Sequence, residues 1–307
     1  MEYIKGTTNF SISEKSVISL GKFDGLHKGH ELLLEHMMKK KEEGLRTVLF
    51  TFDVPPRPEA LEENQKVLTT NDEKMVICES QGIDYLIECP FTPEIMNMEA
   101  EHFIEMLVKH LHMKCVVVGT DFHFGHNRGG DYQLLEQCAG QYGYEVIVVD
   151  KVRFEERDIS STFIREEVIE GNMERVSYLL GYDYFVHGTV IHGRKMGGPV
   201  LGIPTANVIP AKNKLLPPFG VYVCEVMVGE ETFPGIADIG CKPTISGENP
   251  VAVEAHIFDF NQNLYDKEVK ILFKERVRAE MKFDSLEALK EQMQQDIAFG
   301  RYYFQTK

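Results

Sequence analysis

The segment that most constrains the fold of this chain is residues 21–30, which read GKFDGLHKGH. A short apolar run at residues 17–20 precedes it, and the residues that follow can form the inward face of a helix. We therefore predict a turn from a strand into a helix. The first amides of a helix have no partner within the helix, and the helix dipole favours negative charge there, so this turn is expected to bind an anion.

The residues of this turn point to phosphate as the anion. Gly25 and Gly29 lack a Cβ, so the backbone can turn sharply and a phosphate can approach closely. His27 and His30 lie one helical turn apart and can reach the same ligand. A polyphosphate would favour their cationic forms, so that both rings donate to phosphate oxygens. The turn lacks the Gly-Lys-Ser/Thr of a Walker loop and resembles the His-x-Gly-His turn of the nucleotidylyltransferase superfamily.

Composition limits the partners of the chain. Its 307 residues are enough for two domains, and a net charge of −15 argues against a nucleic-acid or membrane-surface footprint. No apolar run approaches the length of a membrane span and the first residues lack a signal core, so a cytoplasmic protein is expected. Six cysteines without Cys-x-x-Cys spacing indicate neither a disulfide framework nor a zinc site.

The first domain, predicted at residues 1–182, reads as an α/β fold. Apolar runs alternate with helical patterns, which predicts a parallel sheet with helices on both faces; the runs lie at 46–52, 83–88, 115–119 and 145–149. Asn71 or Asp72 is expected to cap a helix that runs to Gln81, and residues 99–111 are expected to form an amphipathic helix whose inward residues are Phe103, Leu107 and Leu111. In such sheets the ligand lies at the carboxyl ends of the strands. The loop after the run at 115–119 holds Asp121, which is placed to meet a ribose hydroxyl, a base or a metal, or simply to cap local backbone.

A second phosphate-binding candidate is residues 159–165, ISSTFIR. Ser161 or Thr162 is expected to cap a helix that ends at Gly171. Arg165 falls near the start of that helix, where a cation is unfavourable unless an anion is bound. An ordinary capped helix with a surface arginine is the alternative.

These segments resemble, in order and spacing, the amino-terminal half of the bacterial bifunctional riboflavin kinase/FAD synthetase family. The quoted motifs are GKFDGLHKGH, VVVGTDFHFG and ISSTFIR. The resemblance implies an FMN adenylyltransferase of nucleotidylyltransferase type, with ATP or its phosphates bound by His27, His30, Asp121, Ser161, Thr162 and Arg165, together with Gly21, Phe23, Gly25 and Gly29. Lys22 stands where asparagine is common in the family, and VPPRP at 54–58 departs from its usual proline-histidine-proline pattern.

The second domain, predicted at residues 183–307, has a different pattern. Short β-rich runs separated by Gly, Pro and Asn predict an antiparallel β-barrel. A carboxy-terminal helix is expected from 285 to about 302, with Asp284 as a possible cap and with apolar residues at helical spacing, Leu286, Leu289, Met293 and Ile297.

The barrel contains a candidate phosphate and metal site. Residues 192–207 read HGRKMGGPVLGIPTAN, in which glycines offer backbone amides to phosphates; they are Gly193, Gly197 and Gly202. Thr205 and Asn207 supply oxygens suited to Mg²⁺, and Glu254 lies on a predicted strand, where a carboxylate can accept a proton. Turn chemistry for Thr205 and Asn207 and a solvated position for Glu254 are the alternatives.

These segments resemble the riboflavin kinase module of the same family. The matching motifs are GIPTAN, IGCKPT, EAHIFDF and RVRAEMKF. The resemblance implies that Thr205 and Asn207 bind metal and phosphates, and that Glu254 is the base that activates the ribityl 5′-hydroxyl of riboflavin. The departures are GPV at 198–200, where the family has a shorter arginine-containing segment, and Asp238 in place of asparagine.

We therefore expect a two-site enzyme. It would use ATP and Mg²⁺ to convert riboflavin to FMN and then FMN to FAD, with His27, His30 and Glu254 as the catalytic residues. Its partners would be small molecules, not nucleic acid or membrane, and it would be a monomer or weak homo-oligomer. Three alternatives stay open: an FMN adenylyltransferase with a flavin-binding but weakly active barrel, a non-catalytic flavin or nucleotide sensor, and a cytidylyltransferase for a phosphorylated alcohol.

Overall fold

The computed structural model of the chain describes residues 1–53, 66–191, 203–241 and 251–307. By their internal contacts these residues form two compact units, Met1–Ser161 and Thr162–Lys307. Within the described residues no helix is both long enough and apolar enough to cross a membrane.

The first unit is built on a parallel six-stranded sheet, in the order β1-β4-β3-β2-β5-β8. Its strands are β1 (Glu2–Lys5), β2 (Ser16–Leu20), β3 (Arg46–Asp53), β4 (Tyr85–Pro90), β5 (Met113–Gly119) and β8 (Glu145–Val149). Two small antiparallel pairs are β6 (His123–Phe124) with β7 (Gly130–Asp131), and β9 (Arg153–Phe154) with β10 (Arg157–Asp158). The predicted parallel sheet is confirmed.

Helices connect these strands. They are α1 (Lys28–Glu42), α2 (Asn71–Ser80), α3 (Pro93–Met96), α4 (Ala100–Leu111) and α5 (Tyr132–Tyr142), with a short 3-10 helix at His126–Arg128. The predicted inward face of α4 is confirmed, since Phe103, Leu107 and Leu111 are buried in the core. The expectation that Asn71 or Asp72 caps α2 is wrong: Thr70 is the cap, and it forms a reciprocal capping box with Glu73.

The order of the strands decides where a ligand can bind. From β2 the chain proceeds outward to β3 and β4, and later returns to the other side of β2 to form β5 and β8. The connections therefore reverse direction between β2 and β5, which is where open parallel sheets have their binding crevice. The turn at residues 21–27 follows β2, and Asp121 follows β5.

The second unit is an antiparallel sheet that nearly closes into a barrel, as predicted. Its order is β11-β16-β13-β14-β15-β12, and an isolated bridge joins Ile191 to Asn207. The strands are β11 (Phe185–Thr189), β12 (Ala206–Val208), β13 (Gly220–Val228), β14 (Glu231–Cys241), β15 (Val251–Ile257) and β16 (Glu268–Ala279). Helices α6 (Ser161–Glu170) and α7 (Met173–Leu180) precede the barrel, and α8 (Leu286–Thr306) follows it.

Helix α8 is held on the barrel by close packing and by ion pairs, of which Arg278–Asp296 is the more buried. A Cβ on Gly300 would lie 2.8 Å from Ile236 and 2.9 Å from Phe258, so this glycine allows the helix to approach the sheet. Asp296 is buried and accepts two hydrogen bonds from the Arg278 guanidinium nitrogens Nε and Nη2. One detail of the prediction is wrong: Ser285, not Asp284, caps the helix. Leu286, the first residue of the helix, is exposed.

Candidate functional site

The turn after β2 has an unusual backbone. Phe23 and Leu26 have φ values of +47° and +40°, a region that side chains with a Cβ seldom adopt, and Gly25 has φ +90°. Both non-glycine residues are buried, so their side chains anchor the turn in the core. Gly21 donates its amide to the carbonyl of Phe50 on β3, and a Cβ there would lie 3.2 Å from the ring of Phe23.

A distant segment, residues 68–70, holds this turn in place. The carboxylate of Asp24 accepts hydrogen bonds from the amides of Leu68 and Thr69, at 2.8 and 3.1 Å. The amide of Gly25 donates to the Thr69 hydroxyl at 3.1 Å, and Ser161 donates its hydroxyl to the carbonyl of Asp24 at 2.7 Å. Neither Asp24 nor Thr69 was predicted as a residue of the site. Asp24 could have been selected because it lies within the GKFDG motif, whereas no motif surrounds Thr69.

His27 is the N-cap of α1, and the cap fixes its tautomer. Its Nδ1 accepts a hydrogen bond from the amide of Gly29 at 3.2 Å, so the neutral ring carries its proton on Nε2. The side chain is 7% exposed, and burial lowers its pKa to about 4. His27 is therefore uncharged near pH 7 and presents an N–H donor.

His30 lies directly against His27. The two ring centres are 3.9 Å apart, and the ring of Phe23 lies 5.3 Å from that of His30. Burial holds the pKa of His30 well below its ordinary value, and the charges of His27 and Lys74 act in the same direction. Its Nδ1 is buried and has no hydrogen-bond partner among the described residues. An unpaired polar atom in such a position is costly unless a ligand satisfies it.

Gly29 has a structural role in addition to the predicted phosphate contact, which stays a prediction. A Cβ at this position would lie 3.0 Å from both Cε1 and Nδ1 of His27. Such a contact is tighter than ordinary packing permits, so a side chain would push the imidazole away from its capping position. Gly29 thus allows the ring of His27 to approach the helix backbone closely.

Asp121 lies beyond the end of β5, in a small network of charges. It is exposed, and its Oδ2 pairs with the ammonium of Lys151 at 3.1 Å, which also contacts Asp158 at 3.4 Å. The carbonyl of Asp121 contacts Nδ1 of His123 at 2.8 Å, and Arg128 contacts the same ring atom at 3.3 Å. The aspartate therefore stands at the crevice edge already paired with a lysine.

The residues predicted at 159–165 are placed only in part. Helix α6 begins at Ser161, so residue 160 holds the capping position and the prediction of Ser161 or Thr162 as cap is wrong. Ser161 contacts the turn through Asp24, as described above. Thr162 and Arg165 lie in the first turns of α6 and belong to the second unit. Their contact with phosphates stays a prediction.

The predicted kinase residues lie side by side in the barrel. Asn207 on β12 is directly opposite Glu254 on β15, and Glu254 is also opposite Asp238 on β14. The Asn207 amide nitrogen donates to the Thr205 hydroxyl and to the Thr205 carbonyl, both at 3.2 Å. Thr205 and Asn207 each carry one uncharged side-chain oxygen, Oγ1 and Oδ1. A pair of uncharged oxygen ligands fits Mg²⁺, which in nucleotide sites takes most of its other ligands from phosphates and water.

A cavity of about 160 Å³ opens beside Thr205. Its apolar walls include Val190, Ala255 and Ile257, and its other side is formed by residues after β15, among them Phe260 and Tyr265. It is large enough for part of an organic substrate. The remaining predicted residues of this site, Gly193, Gly197 and Gly202, lie outside the described residues, as do the segments at 54–58 and 198–200.

A parallel sheet with a strand-to-helix turn at its switch point, together with a nearly closed antiparallel barrel, is the architecture that the motifs predicted for a two-part transferase that uses nucleotides. Comparison with known proteins agrees. The FAD synthetase family model matches residues 9–163, and the riboflavin kinase model matches residues 180–304.

The curated relatives carry both names together. The bifunctional riboflavin kinase/FMN adenylyltransferase of Escherichia coli K12 is 34% identical and spans 99% of this chain and 98% of its own. That of Haemophilus influenzae is also 34% identical, over all of both chains. A solved structure from Streptococcus pneumoniae, described as a macrolide-efflux protein, is 30% identical with a TM-score of 0.81 and covers 96% of each chain. The chain belongs to the bifunctional riboflavin kinase/FMN adenylyltransferase family, as its motifs indicated.

Proposed function

We propose that this chain makes FAD from riboflavin in two ATP-dependent steps. The barrel transfers the γ-phosphate of ATP to riboflavin and yields FMN, and the parallel-sheet unit joins FMN to the AMP part of a second ATP and releases pyrophosphate. The observation that carries the proposal is the pair His27 and His30, stacked 3.9 Å apart at the start of α1 in the switch-point crevice. Both family models support it.

The adenylyl transfer needs no protein nucleophile. The phosphate of FMN is already anionic, so one of its oxygens attacks the α-phosphorus while the bond from that phosphorus to the β-phosphate oxygen breaks. Charge accumulates on the departing pyrophosphate. The free amides at the start of α1, the Nε2–H of His27 and the ring of His30 would stabilise it, and Thr162 and Arg165 would bind the same triphosphate.

The kinase step uses the strand pair β12 and β15. Thr205 and Asn207 would hold Mg²⁺, which when bound neutralises charge on the ATP phosphates. Glu254 would take the proton of the ribityl 5′-hydroxyl as that oxygen attacks the γ-phosphorus, and the bond from this phosphorus to the β-phosphate oxygen breaks, which releases ADP. Its position opposite Asn207 supports this role. We also assign phosphate contacts to Gly193, Gly197 and Gly202.

The finer expectations are part of the same proposal. We place the functional boundary between residues 182 and 183, close to where the riboflavin kinase match begins. We further propose a cytoplasmic enzyme, either a monomer or a weak homo-oligomer, that acts on small molecules. The net charge of −15 supports the absence of a nucleic-acid partner.

A time course of flavins tests the proposal. Purified protein, ATP and Mg²⁺ are mixed with riboflavin in one tube and with FMN in another, and products are separated by chromatography. Riboflavin should pass through FMN to FAD. If only the FMN tube yields FAD, the barrel binds flavin without phosphorylating it, and 198–200 becomes the first segment to exchange. Absence of turnover in both tubes, despite ATP binding, would indicate a sensor.

A further inference from the structure

Lys74 is an unusual residue because it is a buried lysine. It lies on α2, directly after Glu73 of the capping box, and it is only 7% exposed. Lysines are almost never buried to this degree without a compensating partner. Among the described residues its ammonium makes one hydrogen bond, to the carbonyl oxygen of Lys22 at 3.2 Å.

That hydrogen bond reaches the nucleotide turn. Lys22 precedes Phe23, the first of the residues in the left-handed region, and its carbonyl also accepts from the Thr51 hydroxyl at 3.4 Å. The Asp24 carboxylate is held two residues further on by the amides of Leu68 and Thr69. Residues from one segment, 68–74, therefore hold the turn at three points, Lys22, Asp24 and Gly25, and Lys74 is the basic residue among them.

The charges around Lys74 explain how its ammonium is tolerated. Burial lowers its pKa, whereas the carboxylates of Glu88 on β4, Asp24 in the turn and Asp53 on β3 oppose that effect. Glu88 is itself buried and accepts a hydrogen bond from the Tyr3 hydroxyl on β1. These acidic groups lie around the lysine, so its positive charge is held in a fixed place rather than in solvent.

Lys74 also acts electrostatically on His30. The rings of His27 and Phe23 lie against the ring of His30, and the charge of Lys74 on α2 helps to hold the pKa of His30 low. Carboxylates near Lys74 oppose the effect of burial on its own pKa and so favour its charged form. A cation at this point disfavours a second positive charge on His30, but it attracts the phosphates that His30 is placed to bind.

We propose that Lys74 is a positioning residue for adenylyl transfer, which holds the nucleotide turn through the Lys22 carbonyl and places a fixed positive charge beside His30. The inference rests on the adenylyltransferase activity proposed above. Its consequence is that His30 stays neutral until nucleotide phosphates lie next to it, so that the ring becomes charged only in the loaded site. The lysine need not touch the substrate for this.

The test compares Lys74→Met and Lys74→Arg in the full-length protein. Methionine keeps much of the buried length without the charge, and arginine keeps the charge. Lys39→Met, an exposed lysine on α1, is the matched control. FMN adenylylation is measured across pH, riboflavin phosphorylation is measured in the same samples, and His30 is titrated by NMR after assignment with His30→Gln.

We expect Lys74→Met to lower kcat for adenylylation roughly 10- to 100-fold, as small misplacements of catalytic groups do, while riboflavin phosphorylation stays unchanged. The pKa of His30 should rise. The pH at which the rate of FMN adenylylation falls off on the acid side should rise with it. Lys74→Arg should restore most of the activity and the low pKa of His30. Lys39→Met should resemble the original chain in every assay.

Two results would overturn the proposal. One is unchanged adenylylation in Lys74→Met, and the other is a loss that is uniform across pH with His30 titrating as before, which is what a purely structural role predicts. If Lys74→Met does not fold, Lys74→Gln takes its place, and the His30 titration decides in the same way. If the original chain makes no FAD from FMN, the proposed function fails, whereas the titration still tests the link between Lys74 and His30.

Discussion

The rings of His27 and His30 lie 3.9 Å apart, and the surroundings that the chain provides keep both of them uncharged near neutral pH. Two cationic imidazoles this close would repel each other, so the pair can carry charge only beside a strong anion. Because of this relationship, the affinity of the site for nucleotide should depend on pH, and the direction of the change can be predicted.

Nucleotide binding should take up protons. A bound polyphosphate raises the pKa of both imidazoles from their depressed values, so the complex holds more protons than the free protein, and affinity rises as pH falls from 8 to about 6. Calorimetry of ATP binding in buffers of different ionisation enthalpy measures the uptake. The double variant His27→Asn, His30→Gln corrects for the protons of ATP itself, and equal uptake in both proteins would contradict the prediction.

Acid should destabilise the first unit through His27. Its pKa is about 4 in the folded chain and about 6.5 when unfolded, so the unfolded chain takes the proton first as pH falls. The neutral ring contributes its full stabilisation above pH 6.5. As the pH falls towards 4, the free energy of unfolding decreases by roughly 3 kcal/mol.

His27→Asn isolates this contribution, because asparagine can still cap α1 but does not titrate. Urea unfolding followed at pH 7 and pH 5 should give a smaller loss for the variant than for the original chain. The carboxylates contribute equally to both proteins, so the difference between them belongs to His27. Identical losses would show that the ring is not buried neutral.

Gly29→Ala should separate stability from activity. Alanine favours a helix over glycine by about 1 kcal/mol, but here its Cβ would press on His27. We expect little loss of stability and roughly a 10-fold or greater drop in FMN adenylylation, because a displaced catalytic group is costly. Gly140→Ala on α5 is the control, since nothing lies within 4 Å of a Cβ there. It should stabilise the chain without changing either activity, and matching results for the two variants would count against the role of Gly29.

Thr205→Val should raise the Mg²⁺ requirement of riboflavin phosphorylation. The substitution keeps the shape of the side chain but removes the hydroxyl that accepts from the Asn207 amide and that we assign to the metal. The Mg²⁺ concentration at half-maximal rate should increase about 10-fold or more. Removal of a residue that orients a metal ligand typically weakens metal binding by this amount. Thr205→Ser should remain close to the original value. An unchanged Mg²⁺ dependence in the valine variant would remove Thr205 from the metal site.

Much of the fold could be predicted because it depends on local patterns. Alternating apolar runs indicated the parallel sheet, and the inward face of α4 was read from the spacing of Phe103, Leu107 and Leu111. The short strand β12 was not predicted, because its first two residues belong to the turn-like motif Pro-Thr-Ala-Asn at 204–207. The cap of α2 was misassigned because Thr70, Asn71 and Asp72 are all good caps, and only Glu73, three residues after Thr70, distinguishes them.

The residues of the candidate site could be predicted from the sequence, but their protonation states and long-range contacts could not. His27 and His30 could be selected from one motif, whereas their neutral state depends on burial by the assembled core. The contacts between the turn and residues 68–74 join positions 44 to 52 residues apart, such as Gly25 with Thr69 and Lys22 with Lys74. No local pattern reports such distances, so Lys74 could not be found before the fold was known.

The division of labour between the two sites is tested most directly by exchanging one residue in each. Full-length His30→Ala and Glu254→Gln are given riboflavin, FMN, ATP and Mg²⁺ in separate assays, and FMN and FAD are separated by chromatography. We predict that His30→Ala forms FMN at the original rate but almost no FAD, and that Glu254→Gln converts FMN to FAD but not riboflavin to FMN. Loss of both activities in either folded variant would contradict a chain with two independent catalytic sites.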